Sequence, residues 1–278
     1  MPQYATLHTH TDAGIHTILL SRPEKRNALD HQLMEELTHA LESFAASQTC
    51  RVVIITGSGS SFCAGLDIEH LRKMALAPGQ MTATEDYHAD AHRIATLMRT
   101  LYDLPKPSIA AVNGPAIAGG MGIATLCDFT LAVPEAKFGY TEVRIGFVPA
   151  VVAAFVRTQL GEKHCRDLLL SGRLINAEEA LNLGLINRIV AEPDLLREAK
   201  ILAQRLLRNS PAAMQATKRL LCRFTDHHLP ADIETAIQAS VDARSNADFH
   251  EGVAAFLEKR EPQWPSAHGA SREPVGAK

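Results

Sequence analysis

Apolar residues are spaced in two alternating ways along the first 160 positions of the chain. Short aliphatic and β-branched runs predict strands, and the intervals between them carry apolar residues at helical spacing. The predicted strands span 4–9, 15–20, 51–57, 107–114 and 128–133. The first two form a hairpin through Asp12-Ala13-Gly14. Alternation of strands with helices predicts an α/β core with parallel strands.

The first helix of this core is predicted to follow Asp30. Its apolar residues fall on one face: Leu33, Leu37, Leu41 and Phe44. Asp30 is suited to the N-cap because a carboxylate accepts hydrogen bonds from the free amides of the first turn. Three further helices are predicted over 66–73, 84–101 and 119–126.

Beyond residue 160 the strand pattern nearly disappears and helical patterns continue. Asn176 with Glu179 three positions later resembles a capping box. Several helices have apolar faces wider than one thin layer requires, which predicts packing against another subunit. We therefore expect a core over 1–195, a helical region over 196–264 and a disordered tail over 265–278, which has little to bury.

The net charge, cysteine spacing and apolar runs of the chain indicate which partners and locations are expected. The 278 residues carry a net charge of −3, so neither nucleic acid nor an anionic membrane surface is an expected partner. The five cysteines are scattered without a CxxC pair, which favours a reducing, cytoplasmic location over a disulfide framework. No apolar run reaches the roughly 20 residues that span a bilayer, and the first residues do not resemble a secretory signal.

Two segments are poor in functional side chains but rich in glycine. They are "SFCAGLD" (61–67) and "NGPAIAGGMGIATLCD" (113–128). Each reads as a strand, a turn and the start of a helix, where the first amides lack intrahelical partners. Junctions at Ala64-Gly65-Leu66 and Ala118-Gly119-Gly120 therefore suit two N–H groups aimed at one carbonyl oxygen, an oxyanion hole. Close helix–strand packing is the alternative reading of the same glycines.

Other glycine-rich and histidine-bearing segments do not complete a known site. "GSGSSF" (57–62) and "GMGIAT" (120–125) both fall short of the dinucleotide-binding fingerprint. His88 and His92 stand four residues apart on a predicted helix, but a metal site needs more ligands, so we expect no metal.

Six segments carry motifs in a single order along the chain. They are "SRPEKRNAL" (21–29), "VVIITGSGSSFCAGLDI" (52–68), "PSIAAVNGPAIAGGMGIATLCD" (107–128), "AKFGYTEVRIGFVP" (136–149), "LLLSGRLINAEEALNLGLINRIV" (168–190) and "EGVAAFLEKREPQW" (251–264). Together they resemble the crotonase superfamily of enoyl-CoA hydratases and isomerases, over about residues 4–264. The resemblance implies a spiral of ββα units, a helical C-terminal trimerisation region, and a homotrimer or homohexamer.

The same resemblance implies the chemistry. The substrate is a coenzyme A thioester, and no separate cofactor is implied because CoA is part of the substrate. The oxyanion-hole donors match the amides of Leu66 and Gly119. Typical hydratases of the family use two glutamates, and the second matches Glu142. The first position holds Gly122, which is expected to leave a space there and makes Glu142 the single carboxylate.

Further positions are implied to bind substrate. Arg22 and Lys25 match a loop near the CoA phosphates, and Asp67 and Ile68 follow the first donor where the family cradles the adenine. Each has a structural alternative, such as a solvated turn for the cations or a helix start for Asp67. The remaining matched positions are Ala64, Gly120, Gly122 and Lys259.

The sequence is compatible with three functions. A lone glutamate and the segment "PAVVAA" (149–154) resemble a hydratase branch that acts on branched acyl groups such as methylglutaconyl-CoA. We favour this hydratase-type lyase. The alternatives are an enoyl-CoA isomerase that moves a 3-enoyl double bond to the 2-position, and a non-catalytic acyl-CoA-binding subunit.

Overall fold

The computed structural model describes residues 3–75, 81–225 and 228–268. The strands are Leu7–Asp12 (β1), Ile15–Leu20 (β2), Val52–Gly57 (β3), Ser108–Val112 (β4), Ala116–Ile117 (β5), Phe129–Ala132 (β6), Lys137–Gly139 (β7), Ile175–Asn176 (β8) and Arg188–Ile189 (β9). The helices are His31–Ala46 (α1), Ile68–Ala75 (α2), Met81–Tyr102 (α3), Gly119–Leu126 (α4), Ala150–Gln159 (α5), Glu162–Ser171 (α6), Ala177–Asn182 (α7), Leu195–Leu207 (α8), Pro211–Thr225 (α9), Leu229–Arg244 (α10), Ala247–Glu258 (α11) and Pro265–His268 (α12). Three 3₁₀ turns span Pro23–Lys25, Glu142–Ile145 and Glu192–Asp194.

Six strands form the larger sheet in the order β1-β2-β3-β4-β6-β9. β1 and β2 pair antiparallel, and the other neighbours are parallel. Ala13 and Gly14 both have positive φ, as a two-residue hairpin turn requires. The first strand lies three residues later than predicted, and Asp12 belongs to it. β1 contains no apolar run because it is an edge strand that is only partly buried, and most of its residues are polar.

The chain passes repeatedly between this sheet and a second one. β4 and β6 belong to the larger sheet, and β5 and β7, which follow them, belong to a three-stranded sheet with β8. After β3 the chain also passes to the second sheet, where Cys63 forms a β-bridge with Ala116 of β5. These repeated turns confirm the predicted α/β spiral.

Strands β3 and β4 are buried along their whole length, as parallel strands covered on both faces are. Because they run parallel, they end at the same edge of the sheet, and the loops that follow them lie side by side there. This edge is where the two glycine-rich junctions meet.

The C-terminal helices pack onto the core. α10 lies against α3 and α5, and α11 lies against α2 and the 3₁₀ turn that begins at Glu142. That last contact is backbone to backbone, since a Cβ added to Gly252 would lie 2.3 Å from the carbonyl carbon of Ile145. The position of Glu142 is therefore fixed in part by the helical region.

Local signals in the sequence have mixed outcomes. The Leu33 amide donates to Asp30 Oδ1 (2.8 Å), so Asp30 caps α1 as predicted. Asn176 caps α7 through the Glu179 amide, but the Glu179 carboxylate pairs with Arg173 and completes no capping box. The tail prediction is wrong for 265–268, which form α12, where Ser266 is hydrogen-bonded to Asp248. The rest of that tail, 269–278, lies outside the described residues.

An apolar stripe on α9 supports the expected assembly. Leu220, Leu221 and Phe224 follow one another at helical spacing and are each at least half exposed. An exposed apolar stripe of this kind is typical of a subunit contact. Within the described residues no helix is long and apolar enough to cross a membrane.

We expect a trimer or hexamer that depends on this stripe. Light scattering of the wild-type chain should give three or six times the 30.2 kDa monomer mass at micromolar concentration. Leu221→Glu with Phe224→Glu should shift the mass toward the monomer, because two buried charges would be unpaired in the interface. Lys218, on the same helix, is ion-paired to Asp128 within the chain and is therefore left unchanged. Arg219→Glu, a charge change at the exposed position next to it and outside the stripe, serves as the matched control. A wild-type monomer would contradict the expectation.

Candidate active site

A cleft of about 400 Å³ opens at the edge where β3 and β4 end. The loop after β2, both glycine-rich junctions, the Glu142 turn and the start of α5 form its walls, and α10 and α11 close one side. Its inner lining is mostly aliphatic: Ile68, Leu71, Ile94, Ile145, Val148, Val151 and Val152. A cleft of this size and character suits an acyl chain.

The first junction leaves the Leu66 amide free to face the cleft. Leu29 donates to Gly65 O (2.7 Å) and accepts from the Asp67 amide (2.9 Å), on either side of Leu66. Because N–H groups alternate in direction along an extended segment, the Leu66 amide points away from Leu29. No backbone acceptor for it occurs in the described part of the chain, and Leu66 lines the cleft.

The second junction presents the Gly119 amide. Gly119 is the first residue of α4, so its N–H has no intrahelical partner. Ala118 before it has φ 51° and ψ −121°, a strained conformation for a residue with a Cβ, and its own amide donates to Gly139 O (2.7 Å). Both Ala118 and Gly119 line the cleft.

The packing reading holds for Gly65 and Gly120, and the oxyanion-hole reading of the Leu66 and Gly119 amides stays a prediction. A Cβ on Gly65, which has φ +86°, would lie 2.8 Å from the Ala118 Cβ, so the two junctions pack backbone to backbone. A Cβ on Gly120 would lie 2.2 Å from Cys63 O. Gly120 thus serves close packing, while Leu66 and Gly119 supply the amides that face the cleft.

Glu142 is the one carboxylate in the inner part of the cleft among the described residues. It begins a 3₁₀ turn, is 9% exposed, and its Oε2 is buried without a hydrogen-bond partner in the described structure. Burial raises the pKa of Glu142 to about 7, and a hydrogen bond from its own backbone amide offsets only part of this effect. A carboxyl group with this pKa can both accept and return a proton near neutral pH.

The expected space beside Gly122 is not present, which corrects that prediction. A Cβ on Gly122 would lie 2.8 Å from Val152 Cγ1, 3.1 Å from Met98 Cε and 3.3 Å from Met98 Sδ. Two apolar side chains thus occupy the position where a second glutamate would project. Gly122 is also absent from the residues that line the cleft in the described structure.

The predicted substrate-binding residues divide into two groups. Lys25, Ala64 and Ile68 line the cleft. The Arg22 guanidinium pairs instead with Asp30 (2.9 Å) and Asp67 (3.0 Å), so it braces the loop. Lys259 caps α11 in a left-handed conformation, and Phe256, one turn earlier, reaches the cleft. Binding roles for Arg22, Asp67 and Lys259 stay predictions.

Asn27 is a residue that sequence reasoning missed. It is fully buried with φ 54°, and its amide group donates to Ser58 O (2.9 Å) and Ser61 O (2.8 Å). Its Oδ1 accepts from the Arg22 amide (2.9 Å). Asn27 therefore ties the loop after β2 to the loop after β3, which carries the first donor.

A buried polar cluster adjoins the cleft on the side of α10. Asp90 is fully buried, and its Oδ1 is hydrogen-bonded to Nε2 of both His70 (2.8 Å) and His31 (3.1 Å). Its Oδ2 accepts from Arg244 (2.6 Å). One possible metal-ligand atom from each of His31, His70 and Asp90 lies within 4.8 Å of the other two. These three are the described residues that could hold a metal ion. His88 and His92, considered from the sequence, do not belong to this cluster.

Comparison with known proteins gives the family. The sequence model of the enoyl-CoA hydratase/isomerase family matches residues 10–267. The chain is 40% identical over 247 residues to a Thermus thermophilus protein named "Putative enoyl-CoA hydratase", covering 89% of this chain and 96% of that one. It is 32% identical over 249 residues to the Escherichia coli 2,3-dehydroadipyl-CoA hydratase, covering 89% and 93%.

Solved structures agree with this match. An enoyl-CoA hydratase/isomerase from Xanthobacter autotrophicus superposes with a TM-score of 0.84 at 26% identity, covering 93% of this chain and 98% of that one. The chain is an enzyme of the enoyl-CoA hydratase/isomerase family, within the crotonase superfamily, as its motifs predicted.

A glycine-to-alanine series tests the packing around the site. Gly120→Ala should destabilise the fold most, by about 3 kcal/mol or more, because its new methyl group meets the Cys63 backbone. Gly122→Ala should cost about 1–3 kcal/mol, since Val152 and Met98 must shift. Gly161→Ala is the control, because nothing lies within 4 Å of its added Cβ. Denaturant unfolding of the three variants measures the order, and a neutral Gly122→Ala would contradict the crowding.

Proposed function

We propose that this enzyme is a hydratase-type lyase that adds water across the double bond of a 2-enoyl-CoA. The observation that carries the proposal is the cleft itself. It brings together the backbone amides of Leu66 and Gly119, which have no backbone acceptor among the described residues, and the buried carboxyl group of Glu142, whose pKa lies near neutrality.

The reaction follows from these three groups. The thioester oxygen accepts hydrogen bonds from the amides of Leu66 and Gly119, which stabilise the negative charge that develops there. The Glu142 carboxylate takes a proton from water as the water oxygen bonds to C3 and the double-bond electrons move toward the thioester oxygen. The resulting enolate then takes a proton at C2 from the Glu142 carboxyl group, and the carbonyl is restored.

The rim of the cleft suits the CoA portion. Glu24, Lys25 and Arg26 are exposed on the loop after β2 and line the opening. Two cations there match the phosphate groups of CoA. CoA enters as part of the substrate, and the proposed reaction uses no separate cofactor.

The finer substrate assignment concerns the acyl group. We favour a branched, methylglutaconyl-like 2-enoyl group, on the resemblance of "PAVVAA" (149–154) and the Glu142 segment to that hydratase branch. One relative acts, by its name, on 2,3-dehydroadipyl-CoA, a 2-enoyl thioester of a dicarboxylic acid. Both comparisons support hydration of a 2-enoyl-CoA, whereas the dehydroadipyl group is unbranched and does not bear on the branching.

Isomerisation is the second candidate, and the crowding at Gly122 favours it. A double-bond shift needs one group that moves a proton between two carbon atoms, and Glu142 is such a group. With Val152 and Met98 against Gly122, no second carboxylate is available there to hold a water molecule. A subunit that only binds acyl-CoA is disfavoured, because binding alone needs no buried carboxyl group with a raised pKa.

Turnover of three thioesters by matched variants tests the proposal. The wild-type enzyme should hydrate crotonyl-CoA or a branched 2-enoyl-CoA faster than it isomerises a 3-enoyl-CoA. Glu142→Gln keeps the shape but cannot take a proton, so kcat should fall by about 10²–10⁴ while thioester affinity changes little. Glu135→Gln removes an exposed carboxylate that does not line the cleft and is the matched control.

The outcomes separate the candidates. Faster turnover of the 3-enoyl-CoA would favour the isomerase, and binding of all three thioesters without turnover would favour the binding subunit. Full activity of Glu142→Gln on the best substrate would contradict the assignment of Glu142.

A further inference from the structure

One cation lies at the inner side of the cleft, away from the exposed rim. Arg244, on α10, lines the cleft beside Ser240 and Phe147. Its side chain is fully buried, whereas Lys25 and Arg26 at the rim are exposed. The walls nearby are aliphatic or aromatic, so this guanidinium is the one inner positive charge in the described lining.

Arg244 is held in a fixed position. Its Nη2 donates to Asp90 Oδ2 (2.6 Å), and its Nη1 donates to Ser240 Oγ (2.5 Å). Its Cζ lies 4.7 Å from the centroid of the Phe147 ring, which also borders the cleft. A guanidinium fixed on three sides is pre-organised for a further ligand, since little side-chain entropy remains to be lost.

The hydrogen bonds of Arg244 are incomplete. Its Nε is buried, and no partner for it exists among the described residues. A buried N–H without an acceptor carries a desolvation cost, so a polar group supplied from the cleft would relieve it. A residue that only joined α10 to α3 would not need to border the acyl cleft, and a buried ion pair by itself adds little stability.

The charged groups around Arg244 are compatible with binding of an anion. Asp90, its partner, also accepts hydrogen bonds from His31 and His70, so the negative charge of this carboxylate is shared among three groups. Guanidinium forks match carboxylates in geometry better than they match any neutral group. The ligand class that fits is therefore a carboxylate carried on the acyl chain.

We infer that Arg244 is a specificity-determining residue that receives a carboxylate at the end of the acyl chain remote from the thioester. The inference rests on the proposed acyl-CoA site and deepens it by naming the substrate class, a dicarboxylic monothioester of CoA. Aliphatic residues contact the chain between the two ends, and Arg244 selects the acid over its neutral analogue.

Binding of saturated thioesters to the full chain tests this without requiring turnover. Calorimetry compares adipyl-CoA with hexanoyl-CoA and glutaryl-CoA with pentanoyl-CoA, pairs of equal length that differ in the terminal carboxylate. The wild-type enzyme should bind at least one acid about tenfold or more tightly than its neutral partner, as expected for hydrogen bonds to a charged group. Equal dissociation constants within both pairs would overturn the inference.

Variants assign the preference to Arg244. Arg244→Met with Asp90→Asn removes both charges together, so no unpaired charge stays buried, and it should lose the preference while still binding hexanoyl-CoA. Arg244→Lys keeps a cation for Asp90 and should retain the fold but lose at least threefold of the preference, because the planar fork is gone. Arg166→Met is the control, since Arg166 pairs with Glu162 on α6, outside the cleft, and its loss should leave the preference intact.

The outcomes for this site and for the proposed reaction are distinct. A carboxylate preference that persists in both Arg244 variants would overturn the role of Arg244. A preference that depends on Arg244, in an enzyme that hydrates no 2-enoyl-CoA, would support the carboxylate site and contradict the proposed hydration.

Discussion

The backbone contact between the two glycine-rich junctions is the constraint on which the site depends. Gly65 lies so close to Ala118 that a Cβ on it would meet the Ala118 Cβ at 2.8 Å. This approach brings the first donor, at Leu66, next to the start of α4, where Gly119 carries the second. Parallel pairing of β3 with β4 makes the approach possible, because both strands end at one edge. The strained backbone of Ala118 is held by its hydrogen bond to Gly139.

The electrostatics of the cleft follow from its apolar walls. Water solvates an ordinary glutamate, but Glu142 sits among aliphatic side chains with Oε2 unpartnered, so burial raises its pKa toward neutrality. Gly252 of α11 packs against the 3₁₀ turn that begins at Glu142, which couples this carboxyl group to the helical region. The C-terminal helices thus shape the chemistry of the cleft as well as its outer surface.

The sequence predicts best what depends on neighbours along the chain. The Asp30 cap was predictable because capping acts within a few residues. The bounds of α4 followed from the strand–turn–helix pattern of its segment, since α4 has no side-chain cap and its three glycines are poor helix formers. Motif resemblance pointed to Glu142, Leu66 and Gly119, and the structure brings these three residues to one cleft. The resemblance did not locate Arg244 or the crowding at Gly122, since Asp90 and Val152 reach them from distant parts of the chain. The ion pairs of Arg22 were missed for the same reason.

The chemistry of the cleft depends on one buried carboxyl group, Glu142, which should change protonation near neutral pH beside two backbone amides. Infrared difference spectroscopy between the wild-type chain and Glu142→Gln isolates the protonated carboxyl band of this residue as pH is raised from 4 to 9. The band should persist well above pH 4.5 and disappear with a midpoint near pH 7. A midpoint near 4.5, the ordinary value for glutamate, would contradict this expectation.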